Sequence, residues 1–128
     1  MALRIGSFLV KRVLIDQRSG VEVMYPDLYR GLSLLLEDLT KYDTPLVGFD
    51  RKVVVPEGQI SLPIMIEGKE VMTEGKEVMA NFIVVNAFFP YMTILGWPWI
   101  HTMGAMLSTL HMKIKFPTED GIAFFRVD

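Results

Sequence analysis

The chain has no cysteine in 128 residues. That excludes a disulfide framework, a thiolate zinc site and a cysteine nucleophile together. Net charge is also small. Thirteen Lys and Arg against fifteen Asp and Glu give −2, so there is no basic footprint for nucleic acid or an anionic membrane surface. Histidine is scarce: His101 and His111 are ten residues apart, with no acid near either, whereas a metal site needs three or four converging ligands. No glycine-rich phosphate loop occurs. The expectation is a domain with no metal, no cofactor and no nucleic-acid partner.

Charge is missing altogether from Val78 to Met112, a window of 35 residues. Length alone would let it cross a bilayer. Asn81, Asn86, Pro90, Gly96 and Pro98 interrupt it, however, and neither proline suits the middle of a spanning helix. The apolar start of the chain is cut short by Lys11 and Arg12, unlike a signal peptide. These features predict an intracellular domain with no membrane span.

What is present reads as short strands. Leu3, Ile5, Phe8–Val10 and Val13-Leu14-Ile15 are β-rich, and Val21–Tyr25 resumes the apolar character after a polar loop. Pro26 opens a single helical turn, for which Gly31 is the expected left-handed stop. Gly48–Arg51 reads as a turn, Val53-Val54-Val55 as a strand, and Gln59–Ile64 as a strand with one wet face. Phe82–Val85 and Thr93-Ile94-Leu95 are further strands, and Pro98 starts a second short helix. Met112–Phe116, with Lys113 and Lys115 on one face, reads as an exposed edge strand. Many short strands and two short helices predict a closed or sandwiched all-β domain. One repeat stands out: Glu67–Met72 recurs letter for letter as Glu74–Met79. Its period of seven is odd and would flip every later side chain of a strand, so it is expected to bulge out as loop.

Few residues suggest chemistry. Ser19, His101 and Asp16 could be combined on paper as a hydrolytic triad, but no nucleophile-elbow motif surrounds Ser19. Asp16 follows the apolar strand Val13-Leu14-Ile15 directly and precedes small polar residues. Alone it reads first as a turn-forming Asp at a strand end. A hydrophobic-hydrophobic-Gly element, Ile94-Leu95-Gly96, then precedes a short helix about eighty residues downstream.

The ordered combination resembles the retropepsin-like aspartic proteases of gypsy-type plant retrotransposon polyproteins. The segments that bear the resemblance are Val10–Gln17, Met24–Tyr29, Leu46–Asp50, Phe82–Val85 and, most specifically, Thr93-Ile94-Leu95-Gly96-Trp97-Pro98-Trp99-Ile100-His101. The resemblance implies a closed β-barrel that is half of an acid protease, with residues 1–117 as the domain and 118–128 as an extension toward a linker. It implies a homodimer acting on an extended polypeptide. Asp16 would be the catalytic residue, with Gln17, Arg18 and Ser19 in its loop. Gly48, Phe49, Val53, Val54, Val55 and Gly58 would form a flap, and Ile94, Leu95 and Gly96 would support the loop.

Three positions depart from that family's pattern. Arg18 stands where the family has the glycine that lies tight against the carboxylates, Arg51 where the flap usually has glycine, and Trp97 where arginine usually follows Ile-Leu-Gly. A Cβ at position 18 is expected to crowd the site, and its charge to favour ionised carboxylates. These departures and the duplication leave a second reading open, a catalytically silent barrel from a decaying element that only dimerises or binds peptide. A third is an unrelated small barrel with an apolar ligand inside.

Overall fold

The structure, a computed structural model, describes residues 2–47, 51–67, 76–103, 106–108, 113–118 and 121–126. The apolar runs become short strands wherever turn formers interrupt them. Ala2–Ile5 (β1) and Phe8–Val10 (β2) form a hairpin whose two-residue turn needs positive φ, met by Gly6 at 59°. Val13–Ile15 (β3) and Glu22–Met24 (β4) follow, then helix α1 over Pro26–Gly31. Pro26 occupies the first turn of α1, where its missing N–H costs nothing. After a 3-10 turn at Leu36–Asp38 come Leu46–Val47 (β5) and Val53–Val54 (β6). Gly58–Glu67 (β7), Lys76–Val84 (β8) and Thr93–Leu95 (β9) lead into helix α2 over Trp97–Met103. The chain continues through Met106–Ser108 (β10), Lys113–Thr118 (β11) and Gly121–Arg126 (β12).

Seven strands form one sheet in the order β2-β1-β7-β8-β4-β9-β3, which curls into a nearly closed barrel. Its interior holds Ile5, Met24, Leu28, Ile64, Phe82, Leu95, Trp99 and Met103, none of them more than 1% exposed. β4 and β9 are buried along their whole length, so neither shows the apolar-polar alternation of a strand with one wet face. Side chains on one face, Met24 and Leu95, join this core. Those on the other face, Val23 and Ile94, join a second cluster with Tyr25 and Val85.

Several local expectations are corrected. Gly31 lies inside α1, and the left-handed residue that follows the helix is Ser33, φ 56°. Glycine suits position 31 for a different reason: a Cβ there would sit 2.5 Å from the Phe8 ring. β11 is the central strand of a three-stranded sheet, β10-β11-β12, and not an edge; apolar-polar alternation in sequence does not distinguish the two positions. Gly121–Arg126, within the expected 118–128 extension, pairs antiparallel with β11. The duplicated heptad is not all loop. Glu67 closes β7, Lys76–Met79 opens β8 with Ile66 opposite Lys76, and residues 68–75 lie outside the described residues. The hairpin expected over Gly48–Gly58 is shorter. β5 pairs with β6 alone, while Gly58 starts β7 in the main sheet, where a Cβ would meet the Thr40 carbonyl at 2.7 Å.

Candidate active site

β3 and β4 are consecutive in the chain but not neighbours in the sheet. β9 lies between them, parallel to β3 and antiparallel to β4. The segment from Asp16 to Val21 must therefore arch over the end of β9. Because β3 and β9 run in the same direction, with Ile15 opposite Leu95, Asp16 and Gly96 emerge side by side. The arch is fastened at each step. The Asp16 N–H donates to the Leu95 carbonyl at 3.0 Å, the Ser19 N–H to the Asp16 carbonyl at 3.1 Å, and the Trp97 N–H to the Ser19 carbonyl at 2.8 Å. The Ser19 hydroxyl donates to the Val21 carbonyl at 2.7 Å.

Gly96 is required by contact. A Cβ at that position would lie 2.5 Å from the Val21 carbonyl oxygen and 2.6 Å from that of Ser19, closer than real Cβ atoms come. Leu95 is bonded to the loop through its carbonyl, Gly96 packs against it where a Cβ has no room, and Ile94 lines the groove that Asp16 also borders.

Asp16 is half-buried, and its Oδ1 accepts the Arg18 N–H at 2.9 Å. The crowding expected of Arg18 does not occur within this subunit. Its φ is not in the left-handed region, its side chain is exposed, and its backbone still serves the carboxylate. Gln17 is exposed in the turn.

Asp16, Arg18 and Ser19 border a groove of about 520 Å³. The second apolar cluster forms its walls: Val23, Val85 and Ile94 from the barrel, and Leu46 and Val54 from the β5–β6 hairpin. Val47 also lines it while remaining 71% exposed, and Val53 is 65% exposed. Val55 lies beyond β6 and is exposed, and Gly58 belongs to β7, so neither is part of the paired hairpin. Gly48 and Phe49, expected at its tip, lie outside the described residues. Arg51 adopts φ 64°, the conformation for which glycine is the easier residue. The hypothetical triad does not assemble in the groove: His101 is exposed on α2, its ring tilted against that of Trp97 with centroids 5.6 Å apart. His111 lies outside the described residues.

Sequence reasoning passed over four residues in or beside the groove and the loop. Tyr25 and Phe89 stack at 4.7 Å to make an aromatic wall, and Phe88 is 93% exposed at the rim. Burial pushes the Tyr25 hydroxyl to a higher pKa. The fourth is Glu22, only 3% exposed. Its Oε2 accepts the Gly96 N–H at 3.1 Å. Burial holds this carboxyl above its ordinary pKa, and the backbone amides of Gly96 and Trp99 partly oppose that. The available signal was a lone acid inside the apolar run Val21–Tyr25.

No protein-family model and no curated protein matches the chain. Among solved structures it is similar to the crystal structure of the retroviral protease-like domain of Ddi1 from Leishmania major. The TM-score is 0.64, with 14% sequence identity over 97% of this chain and 90% of that one. The fold is retropepsin-like. The likeness spans nearly the whole chain, and at this identity it speaks to fold alone. Among the described residues, no helix is long and apolar enough to cross a membrane.

Proposed function

We propose that the chain is one subunit of a homodimeric aspartic endopeptidase, with Asp16 as its catalytic carboxylate. One observation supports this most. Asp16, its carboxylate fixed by a backbone N–H, borders a groove that is apolar on the barrel side and overhung by the β5–β6 hairpin. Such a groove suits an extended peptide, with the hairpin as the flap that closes over it.

A single carboxylate cannot serve as acid and base in the same step. A second copy brings a second Asp16. Two carboxylates about 3 Å apart cannot both ionise, so they share one proton. The ionised member takes a proton from a water molecule as its oxygen bonds to the scissile carbonyl carbon. The neutral member donates its proton to the carbonyl oxygen. Breaking the C–N bond then returns a proton to the departing amine and regenerates the pair. The sequence segments quoted above support a further step, that this subunit derives from a retrotransposon polyprotein.

Arg18 bears directly on this chemistry, because two guanidiniums per dimer favour ionised carboxylates and oppose the shared proton. The test is hydrolysis of an unstructured peptide mixture between about pH 4 and 7 by wild type, Arg18→Gly and Asp16→Asn, with sedimentation to establish the dimer. Wild type should cleave and Asp16→Asn should not. Arg18→Gly should cleave faster and remain active to higher pH. No cleavage by wild type or by Arg18→Gly, in a protein shown to be dimeric, would overturn the endopeptidase in favour of a silent barrel.

A further inference from the structure

Glu22 is the only buried charged side chain among the described residues. A carboxylate is costly to bury unless its oxygens are hydrogen-bonded. Here Oε2 accepts the N–H of Gly96, the residue just before α2, where backbone N–H groups have no partner within the helix. The residue just before a helix ordinarily supplies that acceptor from its own Ser, Thr, Asp or Asn side chain. Position 96 cannot. The Ser19 and Val21 carbonyls leave no room for a Cβ, so any side chain there is excluded. The acceptor comes instead from β4, the strand next to β9.

The helix start held in this way also holds the Asp16 loop. Gly96 is followed by Trp97, whose N–H is bonded to the Ser19 carbonyl, and Ser19 is bonded back to Asp16. We propose that Glu22 is a positioning residue of the site: it fixes Asp16 through Gly96, Trp97 and Ser19 and touches no reacting atom. This rests on the reading of Asp16 as the catalytic carboxylate.

The experiment compares Glu22→Gln and Glu22→Ala with a core control, Ile64→Val, which lies on β7 away from the loop. Amide hydrogen exchange and peptide hydrolysis are measured on each. Glu22→Ala should raise exchange at Gly96, Trp97, Arg18 and Ser19 by about ten-fold more than across β7 and β8, and lower kcat by about ten-fold or more with KM little changed. Glu22→Gln keeps one acceptor oxygen and the same shape, so it should fold and fall between. Ile64→Val should raise exchange generally without singling out the loop. The proposal is overturned if Glu22 variants loosen β7 and β8 as much as the loop, or if the loop loosens and kcat does not change. Should neither wild type nor Arg18→Gly cleave in a protein shown to be dimeric, the endopeptidase reading fails on that result alone, and the exchange pattern still decides whether Glu22 holds the loop.

Discussion

Replacing Gly96 by alanine puts a methyl group into space already filled by the backbone of the Asp16 loop. The new Cβ would stand 2.5 Å from the Val21 carbonyl oxygen, 2.6 Å from that of Ser19 and 3.1 Å from the Ser19 Cβ. None of these is the far end of a flexible side chain. The loop must therefore retreat by roughly 0.5 Å to bring the closest contact to the shortest seen for real Cβ atoms, and by more to reach ordinary contact. Retreat lengthens the bonds that hold this region, from the Trp97 N–H to the Ser19 carbonyl at 2.8 Å and from the Gly96 N–H to the Glu22 carboxylate at 3.1 Å.

Overpacking of this kind costs about 1–3 kcal/mol, which for a domain of this size lowers the melting temperature by about 5–10 °C. The effect on rate should be larger than stability alone suggests, because misplacing a reacting group by about 1 Å can cost on the order of a hundred-fold. Gly20→Ala is the matched control. Gly20 lies in the same loop, but a Cβ there meets nothing within 4 Å and its φ is not left-handed, so both melting and hydrolysis should stay near wild type. Thermal melting and peptide hydrolysis of the two purified variants suffice. If Gly96→Ala melts and cleaves like Gly20→Ala, the close approach of loop and helix is not what holds Asp16.

Phe82→Ala should lose about 3–5 kcal/mol in urea unfolding, because the ring is fully buried in the barrel and its removal leaves a cavity; a loss under about 1 kcal/mol would mean the barrel interior can collapse around it. Glu22 should give the folded state a pH dependence of defined sign. Its folded-state pKa is raised, so the folded chain binds the proton more tightly than the unfolded one. Its contribution is then greatest below the ordinary carboxylate range and falls as pH rises from the unfolded pKa to the folded one. Glu22→Gln removes that decline, so the stability of wild type relative to the variant should drop across that interval in unfolding midpoints taken along a pH series. The nearby groups, Asp16 and Arg18 on the loop, Tyr42 in the same recess and His101 on α2, are common to both proteins and cancel. A difference that rises with pH would refute the burial argument.

What could be read without coordinates was the local part of the fold. β-branched runs gave the early strands, Pro26 gave α1, and the order of Asp16, the hairpin and Ile94-Leu95-Gly96 pointed to a site. The pairing of β9 between β3 and β4 was not legible, because its partners lie some eighty residues away and nothing in a three-residue apolar run specifies its neighbours. Glu22 escaped for a related reason. An acid beside Val23 has the same local pattern whether it faces water or a helix start delivered by a distant strand. Gly58, placed in the flap by the resemblance, belongs instead to β7: the Glu57 N–H bonds to the Val84 carbonyl and directs the chain into the main sheet.

Arg18 shows how the demands of the site are divided. Two requirements could make glycine necessary beside the carboxylate: a left-handed backbone or a close approach. Neither applies at position 18, where φ is not left-handed, the side chain is exposed, and the N–H reaches Asp16 Oδ1 at 2.9 Å. The close approach falls at Gly96, on the other side of the loop, against the Ser19 and Val21 carbonyls. Steric tolerance of Arg18 within one subunit thus follows from where the loop touches its support. Its charge is a separate matter, because a guanidinium exposed at the mouth of the groove acts on whatever carboxylates meet there. Arg18→Gly therefore changes electrostatics far more than backbone geometry. If it alters hydrolysis, the change should appear in the pH range of activity and weaken at high salt, which screens an exposed charge but not a packing defect.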